Sequence, residues 1–178
     1  MKQIFTIFLL LLTLNFMPND VKADTLQYAV QEIESQWANI HYTVAKEQQE
    51  AAYRQLLARL KVLQGEHPDR AELIIQQAII VASNAENVGP FSALQAVNVA
   101  RDLLLRAIEL DPNASAGAAY VTLGSLYYMV PGWPIAFGDN DKARAMLKKA
   151  LTINADTIDA NYFYGDFLVT QGKRQEAV

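Results

Sequence analysis

From Thr25 onward, apolar residues recur at the three- and four-residue spacing of an α-helix, and no alternating strand pattern competes for long. Tyr53, Leu56, Leu57, Leu60 and Leu63 form one stripe, with Arg54, Gln55, Arg59 and Lys61 opposite. Ala71, Ile74, Ile75, Ala78, Ile79 and Ala82 carry the next. Val97, Ala100, Leu103, Leu104, Ala107 and Ile108 carry a third, ended by Asp111-Pro112. Gly65 stands where a helix C-terminus favours a left-handed residue, and Pro68 can open the helix that follows. The pattern predicts an all-α chain with helices near 25–43, 47–64, 69–86, 91–110, 114–129, 141–153 and 157–171, and a further one beginning at Arg174.

Small residues recur at fixed offsets within this pattern. Tyr120, Leu123, Gly124 and Tyr127 are followed by Ala143, Leu147 and Ala150, and Asn154-Ala155 closes the unit. Gly165, Gly172 and Ala177 stand at offsets of seven and twelve residues in the next unit, and Ala100, Leu104, Ala107 and Pro112 match the second half of an earlier unit. Two helices approach to about 8–10 Å only where small side chains meet. Gly124, Ala143, Ala150 and Gly165 are the expected structural contacts, with Leu123, Leu147 and Tyr127 filling the space around them. One such pair cannot bury its own face, so pairs must stack.

These spacings resemble the tetratricopeptide repeat, and the expected architecture is a set of antiparallel helix pairs stacked as a TPR-like α-solenoid. The runs Leu123-Gly124-Ser125-Leu126-Tyr127-Tyr128, Val130-Pro131-Gly132-Trp133-Pro134 and Phe137-Gly138-Asp139 resemble a family of exported bacterial tetratricopeptide proteins. So does the block Ile158-Asp159-Ala160-Asn161-Tyr162-Phe163-Tyr164-Gly165-Asp166. The likeness extends more loosely from Tyr53 to Pro112. The chain is similar, more distantly, to the T component of tripartite ATP-independent periplasmic (TRAP) transporters. That resemblance implies periplasmic residence in a Gram-negative bacterium and a helper role in ligand uptake. The chain departs from the pattern in lacking the lipobox cysteine that tethers many such accessory proteins, and in carrying Asn154-Ala155 where Asn-Pro is usual. The resemblance also implies a longer chain, since Val178 falls inside what would be the second helix of a repeat.

Residues 1–23 read as an export address rather than structure. Lys2 supplies a positive start, Ile4 to Leu14 is apolar except for Thr6 and Thr13, and Val21-Lys22-Ala23 offers a small-x-small-like cleavage pattern. The apolar run is too short for an ordinary membrane span; a retained signal anchor is the rival reading. The expected mature region is 24–178, a single TPR-like domain with no span after cleavage.

Several function classes are excluded or disfavoured by composition. The formal charge of −4 and the lack of any long basic run argue against nucleic acid. The absence of cysteine removes disulfides, thiolate nucleophiles and Cys-based zinc sites. His41 and His67 belong to no metal-spaced or triad-like set, and no phosphate cradle or nucleophile elbow appears. Asp139-Asn140-Asp141 lacks the glycine and distal glutamate of a calcium loop and reads better as a helix cap. The expectation is a protein without enzymatic activity, cofactor or metal.

The informative anomaly is an insertion. Gly165 to Ala177 takes twelve residues, whereas Gly124 to Ala143 takes nineteen, so seven extra residues enter the inter-helix turn. That turn displays Trp133 and Phe137, either folded back on the core or offered to a partner as the lip of a groove. In a TPR-like stack the first helix of each pair lines the concave surface. Projection from the glycines places Val121, Ser125, Tyr128 and Met129 there in one unit and Asp159, Tyr162, Asp166 and Val169 in the next. The candidate binding residues are thus Ser125, Tyr128, Trp133, Phe137, Asp159, Tyr162 and Asp166. They suit a protein or peptide partner, or a small amphipathic ligand. The first reading is a periplasmic scaffold; the alternative is a small-ligand-binding accessory of an uptake transporter.

Overall fold

The computed structural model describes residues 19–177, with side chains described from Thr25. Most of the expected export address, residues 1–18, lies outside the described residues. The chain divides into two compact units, residues 1–32 and 33–178. Seven α-helices follow one another: α1 (Asn19–Thr43), α2 (Lys46–Glu66), α3 (Ala71–Asn84), α4 (Pro90–Leu110), α5 (Ala118–Met129), α6 (Asn140–Ile153) and α7 (Ile158–Thr170). Single 3-10 turns, Ala85–Asn87 and Ala114–Gly117, precede α4 and α5. No strand occurs among the described residues; Gly132 and Gly138 form only an isolated bridge.

Local chemistry sets several helix ends. Pro90 opens α4 at a position where its missing N–H costs no hydrogen bond, and the following Asp111-Pro112 closes that helix. Asp139 caps α6, its side-chain oxygen accepting from the backbone N–H groups of Asp141 and Lys142 at 3.0 Å each. Gly172, at φ +73, supplies the left-handed turn that ends α7.

Four expectations about helix ends are corrected. Gly65 does not terminate α2, which runs on to Glu66; the left-handed residue in that connection is Asp69, at φ 57. Pro68 does not open α3, which begins at Ala71. The helix expected from residue 114 starts at Ala118, because Ser115, Ala116 and Gly117 are successively left-handed, at φ 48, 53 and 83. The helix expected from Arg174 is a turn over 174–176.

Within the second unit one large core cluster is joined by a smaller one of Tyr120, Val121, Ala150 and Ala160. Ala71, Ile75, Ala78, Ala100, Leu104, Ala107, Leu123, Ala143, Leu147 and Phe167 all lie inside the larger. The most extensive packing joins sequence neighbours, α3 with α4 and α5 with α6. α2 also packs on α3, α4 on α5 and α6 on α7. In addition α3 touches α5, and α5 touches α7, so alternate helices lie beside one another. α5 is therefore surrounded, which explains its apolar composition on every side: Ala119, Tyr120, Val121, Leu123, Leu126 and Tyr127 are all buried.

The expected small-residue contacts sit at the pair interface. Ala143, Leu147 and Ala150 form the buried stripe of α6. A methyl added at Gly124 would lie 2.7 Å from Cγ of Leu147 and 3.2 Å from its backbone N, so only glycine fits that approach. Gly165 is looser, its nearest neighbour being the Ala177 carbonyl at 3.6 Å.

Candidate functional site

The seven candidate residues fall into three groups. Tyr128, Asp159, Tyr162 and Asp166 belong to the α5–α7 side. Tyr128 sits in the last turn of α5 and donates its hydroxyl to Oδ2 of Asp166 in α7 at 2.7 Å. Its ring meets Phe167 edge-on, with centroids 5.6 Å apart. Burial raises the Tyr128 pKa well above its ordinary value; the hydrogen bond to the Asp166 carboxylate and the nearness of Tyr162 raise it further. The phenol is accordingly a fixed donor, and Asp166 keeps a carboxylate oxygen beyond the one it shares with Tyr128. One turn back on α7, Tyr162 is 64% exposed while its ring rests edge-on against Phe163. Asp159 is exposed in the first turn, where a carboxylate suits the helix dipole. Met129 and Val169, projected onto the same surface, are exposed as well.

Ser125 does not join them. It is buried, and its hydroxyl donates to the Val121 carbonyl one turn earlier at 2.9 Å. Val121 is buried too. The projection from Gly124 put both on an open surface, but α5 has neighbours on all sides, so its middle turns face protein. A serine bonded to its own helix costs little there. The expected surface thus shrinks to the end of α5 and the outer face of α7.

The inserted loop divides its two aromatic residues. Phe137 folds back: its ring meets Tyr127 edge-on at 5.7 Å, and the Arg101 guanidinium of α4 lies over it at 4.7 Å. Trp133 projects outward, 90% exposed. The loop is tied to its own foot, with the N–H of Gly138 donating to Pro131 O at 2.9 Å and that of Asp139 donating to Tyr127 O at 2.7 Å. A methyl at Gly138 would collide with the Val130 carbonyl, so the closure requires glycine. Two cations brace the base. Lys142 reaches over the Tyr127 ring at 5.5 Å and pairs with Asp139 at 3.4 Å; Arg101 pairs with Asp102 at 2.8 Å. Asp139, expected as a helix cap, has its carboxyl held below the ordinary value by the Lys142 N–H, then by the Lys142 side chain and the Asp141 N–H.

Two polar arrangements had no signature in residue spacing. Trp37 donates its indole N–H to Ser83 at 2.9 Å, and His41, stacked on Trp37 at 5.3 Å, shares a hydrogen bond of 3.1 Å with the Tyr53 hydroxyl. Burial pushes Tyr53 up to about 12, against a hydrogen bond from Ser83 that lowers it. This network pins the C-terminal turns of α1 to α2 and α3. Separately, Gln76 donates to Glu34 at 2.7 Å; burial raises the Glu34 carboxyl, the Gln76 bond opposes this, and the Asp159 charge adds to it. The partners in these contacts are 46, 12 and 42 residues apart, beyond any local pattern.

Away from these groups, a cavity of about 240 Å³ opens among α2, α3 and α4, lined by Gln64, His67, Arg70, Gln77, Leu103 and Arg106 among others. Its charges are already matched, Arg106 to Asp69 at 2.6 Å and Arg70 to Glu72 at 3.0 Å. Among the described residues no cluster of three or more His, Asp or Glu is placed to hold a metal ion, and no helix is long and apolar enough to cross a membrane. Comparison with known proteins gives no matching family model and no matching curated protein.

Proposed function

We propose that the chain is a TPR-like scaffold, exported to the periplasm, that holds a protein or peptide partner against the exposed face formed by α7 and the end of α5. The observation that carries the reading is the Tyr128–Asp166 hydrogen bond at 2.7 Å beside the exposed Tyr162. It fixes an oriented carboxylate next to an amphipathic ring with little rotamer freedom, the combination that binds peptide backbone and side chains economically. The repeat reading is supported by alternate helices packing side by side, α3 on α5 and α5 on α7, while sequence neighbours pair more extensively. It is supported again by Gly124, whose missing side chain lets α5 approach Leu147 of α6.

Export is inferred from the sequence of residues 1–23, and binding is the activity to be tested. Native mass spectrometry of the protein purified from its periplasmic fraction is the direct experiment. The scaffold reading expects an apo mass for the chain and a co-purifying protein lost in Asp166→Ala and Tyr162→Ala. A co-purifying small molecule would replace it with the transporter-accessory reading.

A further inference from the structure

We propose that the α5–α6 loop is a rigid finger that seats the Trp133 indole in an apolar, indole-sized pocket of a protein partner. The inference rests on the reading of the chain as a partner-holding protein and adds a contact that the α5–α7 face does not supply. Residues 129–138 carry no charged side chain, and Met129, Trp133 and Ile135 are 60%, 90% and 66% exposed. Exposed apolar residues grouped on one projection mark an interaction surface more often than isolated ones do.

The loop is built to stay in place. Beyond the bonds at its foot, the N–H groups of Ile135 and Ala136 both donate to Gly132 O, at 3.1 and 3.3 Å. Phe137 is clamped between Tyr127 and Arg101. A loop already ordered loses little entropy on docking, so the area that Trp133 buries converts into affinity more fully. Tryptophan is the residue most often found as such an anchor.

The surroundings favour a protein over a lipid surface. The cations nearest the loop, Arg101 and Lys142, lie over Phe137 and Tyr127 and are paired with Asp102 and Asp139. Arg101 is largely covered there, and Lys142, though exposed, is paired with a carboxylate. Asp139 and Asp141 stand at the foot of the finger, and the chain carries a net charge of −4, so an anionic bilayer repels it. A pocket with an apolar floor and a neutral or basic rim has the complementary chemistry.

The test uses the full chain in the cells that make it, with p-benzoylphenylalanine at position 135 so that Trp133 is kept, and at position 62 on α2 as a comparably exposed control away from the α7 face. Irradiation is expected to give one protein adduct at 135 that is absent at 62. The captured protein, purified and titrated against the wild-type chain, is expected to shift to the blue the part of the emission that Trp133→Ala removes, Trp37 being common to both. Trp133→Ala should weaken binding by about 30-fold or more, with the circular dichroism spectrum unchanged. A lipid adduct at 135, no adduct, or a Trp133→Ala affinity within about 3-fold of wild type overturns the finger. Loss of binding in Asp166→Ala or Tyr162→Ala with Trp133→Ala unaffected removes the finger and leaves the α7 face standing.

Discussion

Gly124→Ala and Gly165→Ala are the same substitution at two positions equivalent in the repeat spacing, and the packing around them predicts opposite signs. A methyl at Gly124 would sit 2.7 Å from Leu147 Cγ, 3.0 Å from its Cδ2 and 3.2 Å from its backbone N. Leu147 is fully buried, so it cannot swing away, and α5 and α6 must separate. Overpacking of this kind costs about 1–3 kcal/mol. The helix-propensity gain of alanine over glycine, about 1 kcal/mol, offsets part of it. The expected net loss for Gly124→Ala is about 0–2 kcal/mol. At Gly165 the built methyl meets only the Ala177 carbonyl, at 3.6 Å, an ordinary contact. There the propensity term acts nearly alone and stabilises by about 0.5–1 kcal/mol. The two variants should differ by about 0.5–3 kcal/mol, and at about 2–4 °C per kcal/mol for a chain of this size their melting temperatures by about 1–12 °C. Urea unfolding followed by circular dichroism at 222 nm measures both at equal m-value. Equal midpoints for the two variants, or a more stable Gly124→Ala, would refute the close approach of α5 to α6.

Other outcomes follow from the same contacts. Leu147→Ala should cost about 2–5 kcal/mol, since it opens a cavity at a fully buried core position; chemical denaturation measures it. Trp133→Ala should leave stability within about 0.5 kcal/mol because the indole is in solvent, whereas Phe137→Ala should cost about 1–2 kcal/mol through its lost ring and guanidinium contacts. Glu34→Gln should raise the melting temperature at neutral pH. The folded-state Glu34 pKa is raised, chiefly by burial, so its protonated form favours the fold and stability is lost as pH rises through that pKa. The amide removes that loss while its oxygen can still accept from Gln76. Tyr53 likewise binds its proton more tightly when folded, at about 12 against an ordinary 10. Its contribution is complete below pH 10 and declines toward pH 12, so tyrosinate absorbance at 295 nm and helicity should change together there. If Tyr53 ionises with helicity intact, its burial is misplaced.

The helices were legible because their information is local. Apolar spacing located all seven, and the buried stripes Ala100, Leu104 and Ala107 of α4 and Ala143, Leu147 and Ala150 of α6 are the ones the pattern named. The ends that went astray involve backbone choices that composition does not fix. Asp69 and Ser115–Gly117 took left-handed geometry, while Gly65, free to do so, stayed helical. The exposure of candidate residues was legible on α7 and not on α5. Asp159 and Tyr162 are exposed and Asp166 is half-buried on one face of α7, whereas Ser125 is buried, because α5 is enclosed by four neighbouring helices. Spacing along one helix reports which residues share a face, not how many neighbours cover that face. The division of the loop into an inward Phe137 and an outward Trp133 depended on Arg101, 36 residues away on α4.

The account stands on α5 touching α6 through Gly124 and α7 through Tyr128. A three-dimensional NOESY spectrum of the isotopically labelled protein reads both contacts at once. Cross-peaks from the Gly124 Hα protons to the Leu147 methyls, and from the Tyr128 ring to the Phe167 ring, are the predicted result. Assigned resonances for all four residues with neither cross-peak present would contradict the packing and the binding face built on it.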